Sequence, residues 1–139
     1  MTVTVELGDW TRQRPMANAI RFTVFVDEQK VPASIENDEF DALSIHAVAY
    51  EDDRPCGTGR LLPDGHIGRM AVLAAWRGQG IGGRILTALI GAARARGDSA
   101  VVLNSQVQAM PFYEDFGFVA EGDEYLEAGI PHRTMALPL

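Results

Sequence analysis

Apolar and polar positions alternate at Val3, Val5 and Leu7, the period of a half-buried strand. Pro15 can open a helix at its first turn. Ile20, Phe22, Val24, Phe25 and Val26 then supply a buried face until Pro32 breaks the pattern, although their β-branched members would also suit a strand. An acidic loop or short helix, ENDEFD (36–41), follows. Three strand-like runs come next: IHAVAYE (45–51), CGTGRLL (56–62) and HIGRMAVL (66–73). The segments between them, DDRP and PDG, are turn signals that suit hairpins. Ile81, Ile85, Leu89 and Ala92 recur at helical spacing, and Gly97 ends that helix. AVVLN (100–104) reads as a buried strand, MPFYEDF (110–116) as a short helix, and 118–125 and 132–137 as two closing strands. An antiparallel meander, a crossover helix and further strands predict a mixed α/β (α+β) sandwich.

The 139 residues suggest one domain (1–139), large enough for a substantial core. With 47% hydrophobic and 22% charged residues the chain falls in the globular range. The net charge of −7 argues against binding a nucleic-acid backbone. No apolar run approaches the ~20 residues that span a bilayer, so no membrane partner is expected. MTVTVELGDW lacks the basic and apolar regions of a signal peptide. Cys56 is the only cysteine, which rules out an internal disulfide and favours a cytoplasmic address.

The segment RGQGIGGR (77–84) places four glycines directly before the amphipathic helix. Backbone N–H groups there, with the positive end of the helix dipole, make an anion site suited to phosphate or pyrophosphate. Two or three charge-assisted bonds at ~1.5–3 kcal/mol each exceed the dipole's own ~0.5–2 kcal/mol. Close backbone approach is therefore the requirement, with Arg77 and Arg84 adding charge at the rim. Gly78, Gly80 and Gly83 satisfy a G-x-G-x-x-G pattern. The candidate strand ends too early for a dinucleotide fold, however, and Asn104 stands where an acidic residue is needed. No Gly-Lys pair exists for a P-loop.

Here the chain resembles the GNAT superfamily of N-acetyltransferases. MAVLAAWRGQGIGGRIL matches that family's [QR]-x-x-G-x-[GA] loop as Arg77, Gly80 and Gly82. VVLNSQVQAMPFYEDFGF resembles its strand, asparagine and tyrosine helix, while RFTVFVDEQKVPASIENDEFD and EAGIPHRTM resemble the ElaA/YjcF-like branch. The resemblance implies a mixed, mostly antiparallel sheet of about seven strands flanked by about four helices. It also implies acetyl-CoA as co-substrate, with no metal. Its pyrophosphate would rest on Arg77, Gly78, Gln79, Gly80, Ile81, Gly82 and Gly83. Its pantetheine arm would pair like an added strand with Met70, Ala71 and Val72. Asn104 would hydrogen-bond the arm, and Tyr113 would lie near the thioester sulfur. Cys56 is then a small strand residue and no nucleophile.

The implied activity is transfer of acetyl to a primary amine; an acyl-CoA-binding regulatory module without turnover is the rival. Many members carry a glutamate base on the strand before the loop, where this chain has Arg69. An amine of pKa ~10 costs ~4 kcal/mol to deprotonate at pH 7, so a base is needed. The acceptor-side candidates are Glu28, Glu36, Asp38, Asp41, His46, Glu127 and His132. Glu28 could instead pair with Arg21, and Asp38 and Asp41 could cap a helix. The carboxylates of 36–41 would favour a cationic acceptor. Exposed strand edges allow a homodimer.

Overall fold

The computed structural model describes residues 2–139, the side chain of Ile35 excepted. Strand β1 (Val3–Gly8) leads into helix α1 (Trp10–Arg21), whose first turn is capped by Asp9, its Oδ1 accepting from Arg12 N at 2.9 Å. The helix therefore begins five residues before Pro15, which it holds inside. An acceptor side chain ahead of the helix satisfies a donor that would otherwise be orphaned. From Phe22 to Glu28 the coil widens to a π-helix, with Gln29 N reaching Val24 O. Thr23, Val24 and Val26 are β-branched, and such side chains crowd the preceding turn of a tight helix. A short helix α2 (Ala33–Glu36) follows.

Strands β2 (Ile45–Glu51), β3 (Arg54–Leu61) and β4 (Ile67–Val72) extend β1 into an antiparallel sheet ordered β1-β2-β3-β4. Helix α3 (Ile81–Arg96) crosses to β5 (Ala100–Gln106) and ends on Gly97 at φ 90°. After helix α4 (Met110–Glu114), strands β6 (Val119–Glu127) and β7 (Ile130–Pro138) form a hairpin. The second sheet runs β5-β7-β6, also antiparallel. The hairpin is longer than the two strands expected at 118–125 and 132–137. Its two-residue turn, Ala128 (φ 52°) and Gly129 (φ 76°), uses positive φ at both positions, as a tight hairpin requires.

The two sheets meet at one parallel bridge, His66 to Val102, with Val102 N donating to Gly65 O at 3.0 Å. Beyond it, β4 pairs only with β3 and β5 only with β7 among the described residues. Helix α3 covers one face of the first sheet, burying Ile81, Ile85, Leu86 and Leu89 against Ala47, Ala49 and Leu61. Helix α1 covers the other face, packing Ala17 and Ile20 with Val48 of β2. No helix among the described residues is long and apolar enough to cross a membrane.

The approach of α3 to β3 depends on glycine. A Cβ on Gly59 would lie 2.9 Å from Ile85 Cγ2, 3.0 Å from Leu89 Cδ1 and 3.1 Å from Met70 Cγ. Gly59→Val should therefore lower the unfolding free energy by ~1–3 kcal/mol through overpacking. Urea denaturation measures this, and an unchanged midpoint would contradict the packing described.

Candidate functional site

A cleft of about 340 Å3 opens at the start of α3, lined by Val72, Trp76, Arg77, Phe112 and the loop glycines. It lies where β4 runs out beside the gap left by β5. Leu73 N still bonds Cys56 O at 2.9 Å; a 3-10 turn, Ala74–Trp76, then redirects the chain into the glycine segment.

The four glycines have different work. Gly78 (φ 78°) and Gly80 (φ 80°) adopt the left-handed region, and no atom lies within 4 Å of an added Cβ at either. Gly80 is the N-cap of α3 and has no side chain to accept from the first amides. Those amides have no carbonyl one turn back within the helix, so they face the cleft with the positive dipole end. Gly82 is helical, and its Cβ would come no nearer than 3.8 Å to Phe112 Cζ. Gly83 serves packing, since a Cβ there would meet Phe116 Cζ at 3.1 Å. The segment is chemically fit for an anion: open backbone donors, a favourable dipole and no obstructing side chain.

The arginines do not flank it as expected. Arg84 turns away and donates to Val3 O at 2.6 Å, tying α3 to β1. Arg77 folds back on β4, its Nε donating to Val72 O at 2.9 Å while Nη2 meets Glu28 at 2.8 Å. Glu28 thus pairs with Arg77 and not with Arg21. Trp76, which the sequence did not single out, is held at the rim by Nε1 donating to Glu51 at 3.1 Å and by Arg54 over its ring.

Met70, Ala71 and Val72 form the open edge of β4. Immediately before them β4 bulges against β3, and Arg69 sits there at φ 49°. A non-glycine residue in that region is strained by roughly 1–3 kcal/mol and has to be held from outside. Arg69 Nε donates to Glu36 O at 3.2 Å and Nη2 to Asp38 at 3.3 Å.

Those carboxylates belong to an ionic cluster beneath α1. Arg21, 1% exposed, meets Glu36 at 2.5 Å and Asp41 at 2.8 Å, and Arg60 meets Asp38 at 2.6 Å and Asp41 at 2.9 Å. Burial would raise the Asp41 carboxyl, but the hydrogen bonds and charges of Arg21, aided by Arg60, hold it below the usual range. The Arg60 hydrogen bond outweighs burial to lower Asp38 as well. Three of the four carboxylates at 36–41 are thus neutralised by arginines and do not form an open acidic lure. His46 is also buried, its Nε2 sharing a hydrogen bond with Asp41 O at 2.8 Å, and burial lowers its pKa.

Across the gap, Asn104 Oδ1 accepts from Thr134 Oγ1 at 3.0 Å. Tyr113 packs edge-on against Phe112 and Phe118, and burial pushes its hydroxyl above the ordinary pKa. Cys56 is fully buried beneath α3 with its thiol pKa raised by burial, unfit for nucleophilic attack. His132 and Glu127 stand together on the β6–β7 hairpin, Nε2 and Oε2 3.4 Å apart.

The sheet opens between parallel strands, and a glycine-led helix starts at the opening beside the cleft. The family model for the acetyltransferase (GNAT) domain matches residues 11–139, and this chain belongs to that family. Acyl transfer is its class of chemistry. The N-acetyltransferase YjcF of Bacillus subtilis (strain 168), described as uncharacterized, is 45% identical over 120 residues, 84% of this chain and 86% of that protein. Protein ElaA of Escherichia coli (strain K12) is 30% identical over 125 residues, 84% of this chain and 82% of ElaA. The crystal structure of an acyl-CoA N-acyltransferase from Pseudomonas aeruginosa superposes with a TM-score of 0.87 at 30% identity, covering 97% of this chain and 99% of that one. YjcF and ElaA belong to the same branch as this chain.

The cluster predicts an acid-dependent stability. Asp41's contribution is complete above the ordinary aspartate pKa near 4 and is lost as pH falls through its lower folded value. Asp41→Asn should cost ~3–5 kcal/mol at pH 7 by leaving buried arginines underpaired. The deficit should narrow at about pH 2.5, below the ordinary aspartate pKa, where protonation of the unfolded carboxyl removes part of the wild type's advantage. Urea unfolding at both pH values checks this, and equal losses would contradict it.

Proposed function

We propose that this protein transfers an acetyl group from acetyl-CoA to a primary amine by direct attack in a ternary complex. The observation that carries the reading is the open β4 edge running into a glycine-led helix start. An extended arm can add to Met70, Ala71 and Val72 as a strand would, while a pyrophosphate meets the amides from Arg77 to Gly83. Similarity to an acyl-CoA N-acyltransferase along nearly the whole chain supports the same donor class. Asn104, on the facing strand, holds the arm from its other side.

Tyr113 assists departure of the thiolate. As the C–S bond breaks, the sulfur takes the electron pair and needs a donor. A hydroxyl whose pKa is raised by burial stays neutral at pH 7 and keeps its proton to donate. The acceptor nitrogen forms the new C–N bond and must shed its excess proton to a base.

Gly82→Glu tests the phosphate site without backbone strain, because Gly82 is helical and has room for a Cβ. Its carboxylate would stand where phosphates bind, so calorimetry should show acetyl-CoA affinity at least tenfold weaker, with the melting temperature near wild type. Unchanged affinity would overturn the site.

Tyr113→Phe keeps the ring and removes the donor. We expect kcat to fall at least tenfold while acetyl-CoA affinity stays within about threefold. Near-normal kcat where chemistry limits turnover would exclude the role.

A further inference from the structure

We infer that His132, oriented by the Ile130 carbonyl and backed by Glu127, is the general base for the acceptor amine; this rests on the transfer reading above. Three observations carry it. The first is orientation. His132 Nδ1 lies 2.7 Å from Ile130 O, and a carbonyl can only accept, so Nδ1 carries the hydrogen. Nε2 is then the ring atom left to take a proton, with Glu127 Oε2 3.4 Å from it. Tyr125 stacks on the same ring, interplanar angle 25°, and fixes its plane.

The second is placement. In the β5–β7 ladder Asn104 pairs with Thr134 and Gln106 with His132. Directly paired residues project on one face, so His132, Thr134, Asn104 and Gln106 share a face. It is opposite the one where Leu103 and Met135 bury under the core. Counting on from the His66–Val102 bridge in parallel register, Asn104 stands across the gap from Gly68, just before the β4 bulge. His132 is one strand and two residues from Asn104, ~8 Å by strand geometry. An acyl group held between β4 and β5 would lie one strand away from His132, on the side that α3 leaves free.

The third is the fate of the other candidates. Glu28 is paired with Arg77, while Glu36, Asp38 and Asp41 are paired with Arg21, Arg60 and Arg69. His46 lies on β2, two strands inward of the gap, with Nε2 on a backbone oxygen. Around His132, β6 presents Glu127 and Tyr125 and β5 presents uncharged Gln106. Arg133 on its own strand points away to Gly122 O.

The step balances without a further reactant. An ammonium can donate to both Nε2 and Glu127, and Nε2 takes one proton. The freed lone pair forms the C–N bond, the C–S bond breaks, and the thiolate, hydrogen-bonded by the Tyr113 hydroxyl, receives the second nitrogen proton. Glu127, 60% exposed at its side chain, faces the resulting imidazolium while it returns its proton to water.

His132→Asn supplies the test, because its amide can still donate to Ile130 O while the Nε2 base is gone. Turnover is measured from pH 6 to pH 10 with acetyl-CoA and spermidine, tyramine, glycinamide and a capped lysine amide. For the best of these, wild-type kcat/KM should be flat from about pH 7 to the amine pKa. The variant, using only amine already deprotonated in water, should be at least 100-fold lower at pH 7. Its deficit should close about tenfold per pH unit, and imidazole should restore part of it. A deficit equal at every pH would mark His132 as merely structural and overturn the proposal. Parallel, near-normal profiles would do the same. Turnover of none of the four amines, with acetyl-CoA bound by calorimetry, would overturn amine transfer itself and this base with it.

Discussion

Everything at this site depends on one requirement only partly met, the hydrogen bonding of the β4 edge, where Arg77 Nε donates to Val72 O. Parallel strands β4 and β5 meet at His66 and Val102 and then part. An edge left with outward amides and carbonyls seeks a partner. Here that edge runs straight into the N-terminus of α3, where further amides lack acceptors. In the reading proposed above, one ligand with an extended amide-bearing arm and a pyrophosphate would satisfy both sets.

Keeping the gap open requires rigidity on both sides. On the β4 side the strained backbone at Arg69 is held from α1 and the 36–41 loop by Glu36 and Asp38, themselves fixed by Arg21 and Arg60. Arg21, Arg60, Glu36 and Asp41 are taken out of water and Asp38 and Arg69 partly so, which is justified only when each is paired; the three arginines and three carboxylates match. On the β5 side the β7 ladder extends unbroken from Ala100 to Gln106. Glycine fixes the remaining dimension, Gly59 letting α3 settle on β3 and Gly83 letting Phe116 settle on α3.

Elements with a single strong local signal were legible in the sequence. β2 occupies Ile45–Glu51, and α3 runs from Ile81 to a glycine cap, because apolar period and punctuation agree there. The glycine loop was legible as an anion cradle, although its glycines divide between positive φ, open space and packing in ways that spacing does not reveal. Long-range pairing was not legible. Arg21 reads as a helix-surface residue, and its burial depends on Glu36 and Asp41, 15 and 20 positions away. The Ala128–Gly129 turn lacks the Asn or Asp that usually announces two positive φ values, so the hairpin was drawn too short. The seven acceptor-side residues could not be ranked from sequence, because their difference lies in which of them an arginine already holds.

The claim that an acyl-CoA arm completes the β4 edge is tested most directly by amide hydrogen exchange, residue by residue, with and without acetyl-CoA. The account predicts that saturating acetyl-CoA slows exchange at outward amides within 70–72 and at amides of 78–83, while β2, already paired on both sides, changes little. Tight binding that leaves exchange at both 70–72 and 78–83 unaltered would place the ligand elsewhere and contradict the account.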